Sequence, residues 1–354
     1  MVHMLYYFKP KKERRSSEVK TTTAPLLRIF LLGCIIPVIM STIVYEGFST
    51  NYTTEVFSER GFKNQYENGI YKYRLLGRVL LLKTYDYIKN HKLPTLAPIA
   101  LKSLDQNGDF QFYSAYFYMN TLFLCLTCMV LFFILGGHNS NTNFTTVDLP
   151  LLFMCFLMAI AQYVVVPYDT LSYFFLSLAI LLMFRGNPSV WISFALGVIV
   201  VLAALTRETA ALILAFYFAH NYKNILTRPT PFKFNRQQKT LLLIVACFVF
   251  TYATLRAIFG YKQAIFQNVM FLVYFDIFSS AGIILVLSIN LLIFFTKPVT
   301  REMLVFLIAG LPYMVPMLLI ANPWEIRLWV PIILLLTIMK MKATQAEIFP
   351  SDQN

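Results

Sequence analysis

The chain has 354 residues, of which 58% are apolar and only 13% are charged. A soluble globular domain is about 45–50% apolar and about 25% charged, so this composition excludes a soluble enzyme, a disordered chain and a coiled coil. The formal net charge of +13 does not indicate a nucleic-acid partner, because the basic residues lie mostly in short loops between apolar blocks, where they set membrane orientation.

The apolar blocks predict an all-α, polytopic membrane protein with about ten transmembrane helices, since about 20 apolar residues cross a bilayer core of about 30 Å. The predicted spans are residues 25–44, 115–136, 149–166, 170–185, 189–205, 208–221, 240–258, 276–296, 302–321 and 326–341. The predicted divisions are a basic tail (1–24), the first span (25–44), a large first extracytoplasmic loop with interfacial helices (45–114), a bundle of about nine helices (115–341) and a second tail (342–354).

The distribution of Lys and Arg predicts the orientation. If the N-terminus is cytoplasmic, the inside segments carry 16 basic residues and the short outside loops carry 4, namely Arg207, Arg256, Lys262 and Arg327. This positive-inside asymmetry predicts that both termini are cytoplasmic. High Phe and Lys content without a recognisable retention signal favours a bacterial inner membrane over the endoplasmic reticulum.

Four charged islands fall at the outer face of this topology. They are Tyr168-Asp169, Arg207-Glu208, the run from Trp324 to Arg327, and the stretch from Tyr71 to Arg78 that opens an amphipathic segment. Ionisable residues at membrane depth are costly and usually mark function. The convergence of the islands predicts one extracytoplasmic site.

Arg74 and Arg78 are four residues apart, which on a helix places both on one face. Two guanidinium groups at that spacing suit a phosphate or diphosphate. An apolar side made of Tyr71, Leu75, Val79, Leu82 and Ile88 is typical of a helix in the membrane interface. The alternative is that these arginines only reach toward lipid headgroups.

Carboxylates supply the candidate general bases. Asp169 and Glu208 lie within the islands, and Glu46 directly follows the first span. One of them would accept a proton from an acceptor hydroxyl or amine. The alternative is structural: Glu208 and Glu325 would pair with Arg207 and Arg327, or with partners across helices. Asp276 is a further candidate at the outer face.

Metal ligation is not predicted from the spacing of His and Cys. The histidines are dispersed, and Cys125 and Cys128 have no second pair nearby. No cofactor is predicted, and a divalent metal ion is left open. Sequons occur at Asn51 and Asn143.

The topology and four short motifs resemble the GT-C superfamily of integral membrane glycosyltransferases, particularly poorly characterised bacterial members. The motifs are Tyr73-Arg74-Leu75-Leu76, Tyr168-Asp169-Thr170-Leu171, Leu205-Thr206-Arg207-Glu208-Thr209 and Glu325-Ile326-Arg327. Members of this superfamily generally carry an acidic residue, often an Asp pair, early in the first outside loop. Here that place holds Glu46, followed by Glu55 and Glu59.

The resemblance implies transfer of a sugar from a polyprenyl-linked donor to a glycan, lipid or protein acceptor at the extracytoplasmic face. It implies that Arg74, Arg78, and Arg207 or Arg327 hold the donor phosphate beside Glu325, and that a carboxylate serves as base, Glu46 or Asp169 by preference and Glu208 as a further candidate. Partners are then the lipid-linked donor, the acceptor and membrane lipids, without nucleic acid.

Three alternative functions stay open for the same sequence. A transporter or flippase of a lipid-linked saccharide would bind the substrate without bond making, but transporters place charges near the midplane and often contain inverted repeats. A surface-polysaccharide polymerase or ligase would use related chemistry on a glycan acceptor. A purely structural membrane subunit would need none of these charges.

Overall fold

A computed structural model of the protein describes residues 23–47, 58–68, 70–96, 109–137, 147–185, 189–227, 234–260, 299–320 and 325–348. Within these ranges the chain forms helices and no β-strand. The all-α prediction is therefore confirmed for the described part of the chain.

The described helices are numbered here in chain order. They are α1 (Thr23–Phe30), α2 (Ile36–Gly47), α3 (Glu59–Asn68), α4 (Leu75–His91), α5 (Phe110–Ile134), α6 (Asp148–Ile160), α7 (Asp169–Met183), α8 (Val190–Thr206), α9 (Ala211–Leu226), α10 (Arg236–Phe259), α11 (Arg301–Ile320) and α12 (Ile326–Ile348). A π-helical turn, Leu31–Ile35, joins α1 to α2, and 3-10 turns cover Ile70–Tyr73, Ala161–Tyr163 and Glu208–Ala210.

Four helical stretches are long and apolar enough to cross a membrane: Leu26–Gly47, Phe110–Ile134, Arg236–Phe259 and Arg301–Leu318. Helices α6, α7 and α8 are apolar but contain only 13, 15 and 17 residues. At about 1.5 Å per residue they are shorter than a bilayer core of about 30 Å. Described helices coincide with nine of the ten predicted spans, and the predicted span 276–296 lies outside the described residues.

Exposed apolar side chains are numerous on the stretch from Leu26 to Ile43 and on α10 and α11. On α10 they are Leu242, Leu243, Val245, Val249, Phe250 and Ile258, and on α11 they are Leu304, Ile308, Leu311, Val315 and Leu318. Apolar surface of this extent would be unfavourable in water, and it fits contact with lipid. Helices α5 and α7, most of whose residues are buried, lie in the interior of the bundle.

The helix termini gather at two ends of the bundle. At one, the charged end, α4, α7, α9 and α12 begin and α8 and α10 finish; Lys72 Nζ there donates to the carbonyl of Phe259. At the opposite end, Arg28 Nη2 lies 2.5 Å from Asp148 Oδ1, and Gln345 Nε2 donates to the Leu135 carbonyl at 2.7 Å. The described residues of the four predicted charged islands all fall at the charged end.

Helices α3 and α4 belong to the predicted extracytoplasmic loop and pack over the start of α5. They share an aromatic core with it, in which Phe62, Tyr66, Phe112 and Tyr116 are each at most 1% exposed. Phe62 contacts Tyr66 and Phe112, with ring centroids 4.3 and 5.5 Å apart. The described part of the loop is therefore packed against the bundle.

The packed side of α4 differs from the apolar side predicted from the sequence. Its buried residues are Gly77, Leu81, Tyr85 and Ile88, whereas Val79, on the predicted side, is 44% exposed. The reason lies at Gly77, where an added Cβ would sit 2.6 Å from the Pro167 carbonyl oxygen. The missing side chain lets α4 approach the segment before α7, and this close approach selects the buried side.

Several sequence predictions fall outside the described residues. They include Asp276, the sequons at Asn51 and Asn143, Glu55, nearly all of the first terminal tail, and residues 349–354 of the second.

Candidate functional site

Asp169 is the centre of the charged end. It is the first residue of α7 and is 0% exposed. Arg207 Nη1 donates a hydrogen bond to Asp169 Oδ1, and Arg327 Nη1 lies 3.9 Å from Asp169 Oδ2. One buried carboxylate thus faces two arginines that are far away in sequence, and buried charges require such pairing.

Arg327 also pairs with Glu325 at the start of α12. Arg327 Nε donates to Glu325 Oε2 at 2.6 Å, and the two residues are 8% and 5% exposed. The structural pairing predicted for Glu325 is confirmed. The same arginine connects this pair to Asp169.

Glu208 pairs with Arg74, with Arg74 Nη2 donating to Glu208 Oε2 at 3.0 Å. Of the alternatives drawn from the sequence, pairing of Glu208 with its neighbour Arg207 is not found, and its partner lies across helices. Arg207 has an extended backbone, with φ −164° and ψ 155°, and successive side chains of extended backbone point in opposite directions. Arg207 therefore reaches inward to Asp169, while Glu208, whose side chain is 38% exposed, lies at the outer side of the site.

Arg74 lies at the N-cap position of α4, one residue before the helix begins. Its guanidinium carbon is 4.1 Å from the Tyr168 ring centroid and 5.0 Å from that of Tyr71. The expected common helical face with Arg78 does not form, because Arg74 has ψ 63° rather than helical geometry. Arg78 is half-buried on the first turn of α4.

The charge of Arg74 is held in place by its surroundings. Burial opposes the positive charge, but the Glu208 carboxylate, together with the neighbouring Tyr168, Tyr71 and Tyr66, raises the pKa of Arg74 above its ordinary value. Contact with the Tyr168 ring adds a cation–π attraction. Arg74 is thus a fixed cation at the outer side of the site.

The six charged residues balance each other formally, with three arginines and three carboxylates. Their hydrogen-bonding capacity is nevertheless incomplete. Among the described residues, Asp169 Oδ2, Arg327 Nη1 and Arg74 Nε are buried and have no hydrogen-bond partner. Buried polar atoms are normally satisfied by protein, water or ligand, so the site retains donors and an acceptor for a polar ligand.

Two tyrosine hydroxyls border the site and are likewise unsatisfied. Tyr66 and Tyr116 are 1% and 0% exposed, and neither hydroxyl has a hydrogen-bond partner. Tyr66 lies near Arg74, and both tyrosines lie near Tyr168. Polar atoms without a partner among the described residues therefore extend from the arginines into the aromatic core.

Asn120 is a site residue that the sequence analysis missed. Its Nδ2 donates to Tyr45 Oη at 2.7 Å and to the Val166 carbonyl at 3.0 Å, and its Oδ1 accepts from Thr170 Oγ1 at 2.9 Å. These bonds hold α2, α5 and the start of α7 together. A buried amide inside the apolar helix α5 was the available signal.

Glu46 is exposed in the last turn of α2. The ion pairs of the described residues join it to none of the six charged residues. Its neighbour Tyr45 contacts the site through Asn120. A catalytic role for Glu46 stays a prediction.

A metal centre was not predicted. Among the residues described by the structure, no group of three or more His, Cys, Asp or Glu side chains is arranged to hold a metal ion.

Comparisons with protein-family models, with curated proteins and with solved structures give no significant match.

Proposed function

We propose that the charged end is the active site of a membrane glycosyltransferase that takes a sugar from a polyprenyl-linked donor at the extracytoplasmic face. One observation carries the proposal. Arg74, Asp169, Arg207, Glu208, Glu325 and Arg327 come from four separate segments and meet at one end of a helical bundle. Burying so many ionised groups in a membrane protein is costly and usually functional.

The donor phosphate would bind at Arg74. This arginine is the most exposed of the three, with 14% of its side chain accessible, and its present partner Glu208 is 38% accessible. A phosphate competing for Arg74 would replace Glu208 as its ionic partner. Glu208 would then be released beside the bound donor and free to accept a proton.

The reaction would follow from that exchange. The acceptor oxygen forms a bond to the anomeric carbon of the sugar, the bond from that carbon to the donor phosphate oxygen breaks, and the acceptor proton passes to Glu208. Arg74 stabilises the negative charge left on the lipid phosphate. Asp169 holds Arg207, and Asp169 and Glu325 together hold Arg327, so these buried groups keep the site preorganised.

The membrane arrangement in this proposal is ten spans, both termini in the cytoplasm and a bacterial inner membrane. The acceptor is a glycan, a lipid or a protein. The transporter alternative is less well supported, since transporter sites usually lie near the bilayer midplane, whereas these charged groups lie at helix termini.

Mass spectrometry of cell-surface glycans and glycoproteins tests the proposal, by comparing a deletion strain with its parent. We expect one defined sugar to be lost, then restored by the wild-type protein but not by well-expressed Glu208→Gln or Arg74→Ala. An unchanged glycan profile would contradict a transferase role and favour transport or a structural role.

A further inference from the structure

A groove at the opposite end of the bundle has the properties of a lipid-headgroup site. It encloses about 340 Å³ between the starts of α8 and α10 and is lined by Val190, Ser193, Arg236, Lys239, Thr240 and Leu243. It lies at the other end of the bundle from the charged end. A ligand bound in this groove is therefore independent of the transferase proposal.

The walls of the groove are formed by two helices that run in the same direction. Ser193 Oγ and Thr240 Oγ1 form a hydrogen bond of 2.7 Å between them, and one turn further on a Cβ on Gly197 would meet Cys247 Sγ at 3.4 Å. Both helices begin at this groove with capped N-termini, at Ser189 and Asn235. Parallel packing therefore brings two positive helix ends side by side.

The lining has positive charge at its rim and apolar side chains below. Arg236 and Lys239 are exposed, and no carboxylate lines the groove. Val190 and Leu243 supply the apolar part, and Trp191 and Phe194 beside them are 80% and 62% exposed. An anionic headgroup attached to an acyl chain matches both parts at once.

The groove also lies where a headgroup would be. Arg236 is the first residue of α10, a helix of 24 residues that is long and apolar enough to cross a membrane. The start of such a helix lies at the level where headgroups meet hydrocarbon. A soluble anion would satisfy the two cations but leave the apolar wall and the neighbouring aromatic side chains uncovered.

We propose that this groove binds an anionic phospholipid. The phosphate lies between Arg236 and Lys239 at the helix N-termini, and the first part of an acyl chain lies against Val190 and Leu243. The bound lipid bridges α8 and α10 beyond the single side-chain hydrogen bond that joins them there.

A second groove at the same end supplies the control. It encloses about 390 Å³ and is lined by Tyr222, Lys223, Thr300, Arg301 and Glu302. It also carries two basic residues, but a carboxylate lies among them and no aliphatic side chain lines it. Removing two positive charges from either groove weakens diffuse attraction to anionic lipid by a similar amount, whereas loss of direct headgroup contacts is expected at the first groove.

The experiment uses the full-length protein in nanodiscs of equal parts phosphatidylglycerol and phosphatidylcholine, released for native mass spectrometry. The double variant Arg236→Gln with Lys239→Gln is compared with Lys223→Gln with Arg301→Gln, which removes the same charge. We expect retained phosphatidylglycerol to fall about tenfold further in the first variant than in the control, the order expected for removing direct headgroup contacts. The exposed positions leave folding intact, and circular dichroism checks this.

Three results would overturn the proposal. They are equal loss of phosphatidylglycerol in both variants, no loss in either, and displacement of the lipid by excess inorganic phosphate, which would identify a soluble-anion site. A co-purified polypeptide in place of the lipid, lost from the first variant alone, would assign the groove to a protein partner instead.

Discussion

The two ends of the bundle carry charge in different ways. At the charged end Asp169 is 0% exposed, and Arg207 and Arg327 are 4% and 8% exposed. At the opposite end the pair of Arg28 with Asp148 keeps 22% and 13% of its side chains accessible, and His220 lies 3.8 Å from a Glu302 side chain that is 44% accessible. The charged end joins its ions in a cluster around a fully buried carboxylate, with the outer pair of Arg74 and Glu208 partly accessible, and the opposite end leaves its ions as separate, partly accessible pairs.

This difference separates two uses of ionic groups in one molecule. Pairs near the membrane surface cost little to form and stabilise modestly. A buried cluster costs several kcal/mol per ion in desolvation, and apolar residues of similar volume would often be as stable. A modest contribution to stability accounts for the ion pairs at the opposite end. The cost of the buried cluster at the charged end indicates a functional role instead.

Replacing Asp169 with Asn is expected to have the largest effect on stability. The substitution leaves Arg207 and Arg327 buried without their common counterion, which typically costs about 3–5 kcal/mol. Thermal unfolding of the purified variant in detergent should show a clearly lower midpoint. An unchanged midpoint would mean that the charged end is hydrated and would remove the contrast between the two ends.

Gly77→Ala tests the close approach that positions Arg74. The new methyl group would lie 2.6 Å from the Pro167 carbonyl oxygen, so α4 must shift, at a cost of about 1–3 kcal/mol. Gly47→Ala is the matched control, because no described residue lies within 4 Å of its added Cβ. Thermal unfolding of the two variants should differ, and equal midpoints would show that α4 moves freely against the start of α7.

Asp148→Asn removes the ion pair with Arg28 at the opposite end. The pair is partly accessible, so we expect a loss of about 1 kcal/mol or less and no change in product formation. Thermal unfolding and glycan analysis on the same preparation measure both quantities. Loss of product at normal stability would extend the functional site to the opposite end.

Glu208→Gln is expected to have the smallest effect on stability and a large effect on activity. Its side chain is 38% accessible and pairs with Arg74 alone, so stability should change by less than about 1 kcal/mol. Loss of a general base typically lowers a rate by about 100-fold or more. Glu46→Gln, assayed in parallel for product, distinguishes the two exposed candidate bases, and we expect it to retain activity.

Sequence reasoning anticipated the helical class and the place where charges meet. Long apolar runs indicate where the helices lie, and the positive-inside bias assigned Asp169, Arg207 and Arg327 to one face. That assignment succeeded because helix direction alternates along the chain. Each charged residue at the start or end of a helix is therefore assigned to one end of the bundle.

Pairing within the site was only partly predictable from the sequence. The pair of Glu325 with Arg327 was expected from proximity, whereas Glu208 pairs with Arg74 across helices because the extended backbone at Arg207 sends the side chains of Arg207 and Glu208 apart. The buried side of α4 depended on the contact of Gly77 with Pro167, which are far apart in sequence. Such tertiary contacts leave no periodic signal, and Asn120 was missed because a single amide does not interrupt an apolar run.

The most direct test of an active site at the charged end is a glycosyl-transfer assay on equal amounts of folded protein carrying Glu208→Gln or Asp148→Asn. Each variant removes one carboxylate from one ion pair, at the charged end and at the opposite end respectively. If the charged end is the active site, the amount of product should fall by about 100-fold or more for Glu208→Gln and stay at the wild-type level for Asp148→Asn. Equal product from the two variants would contradict the claim that the charged end is the active site.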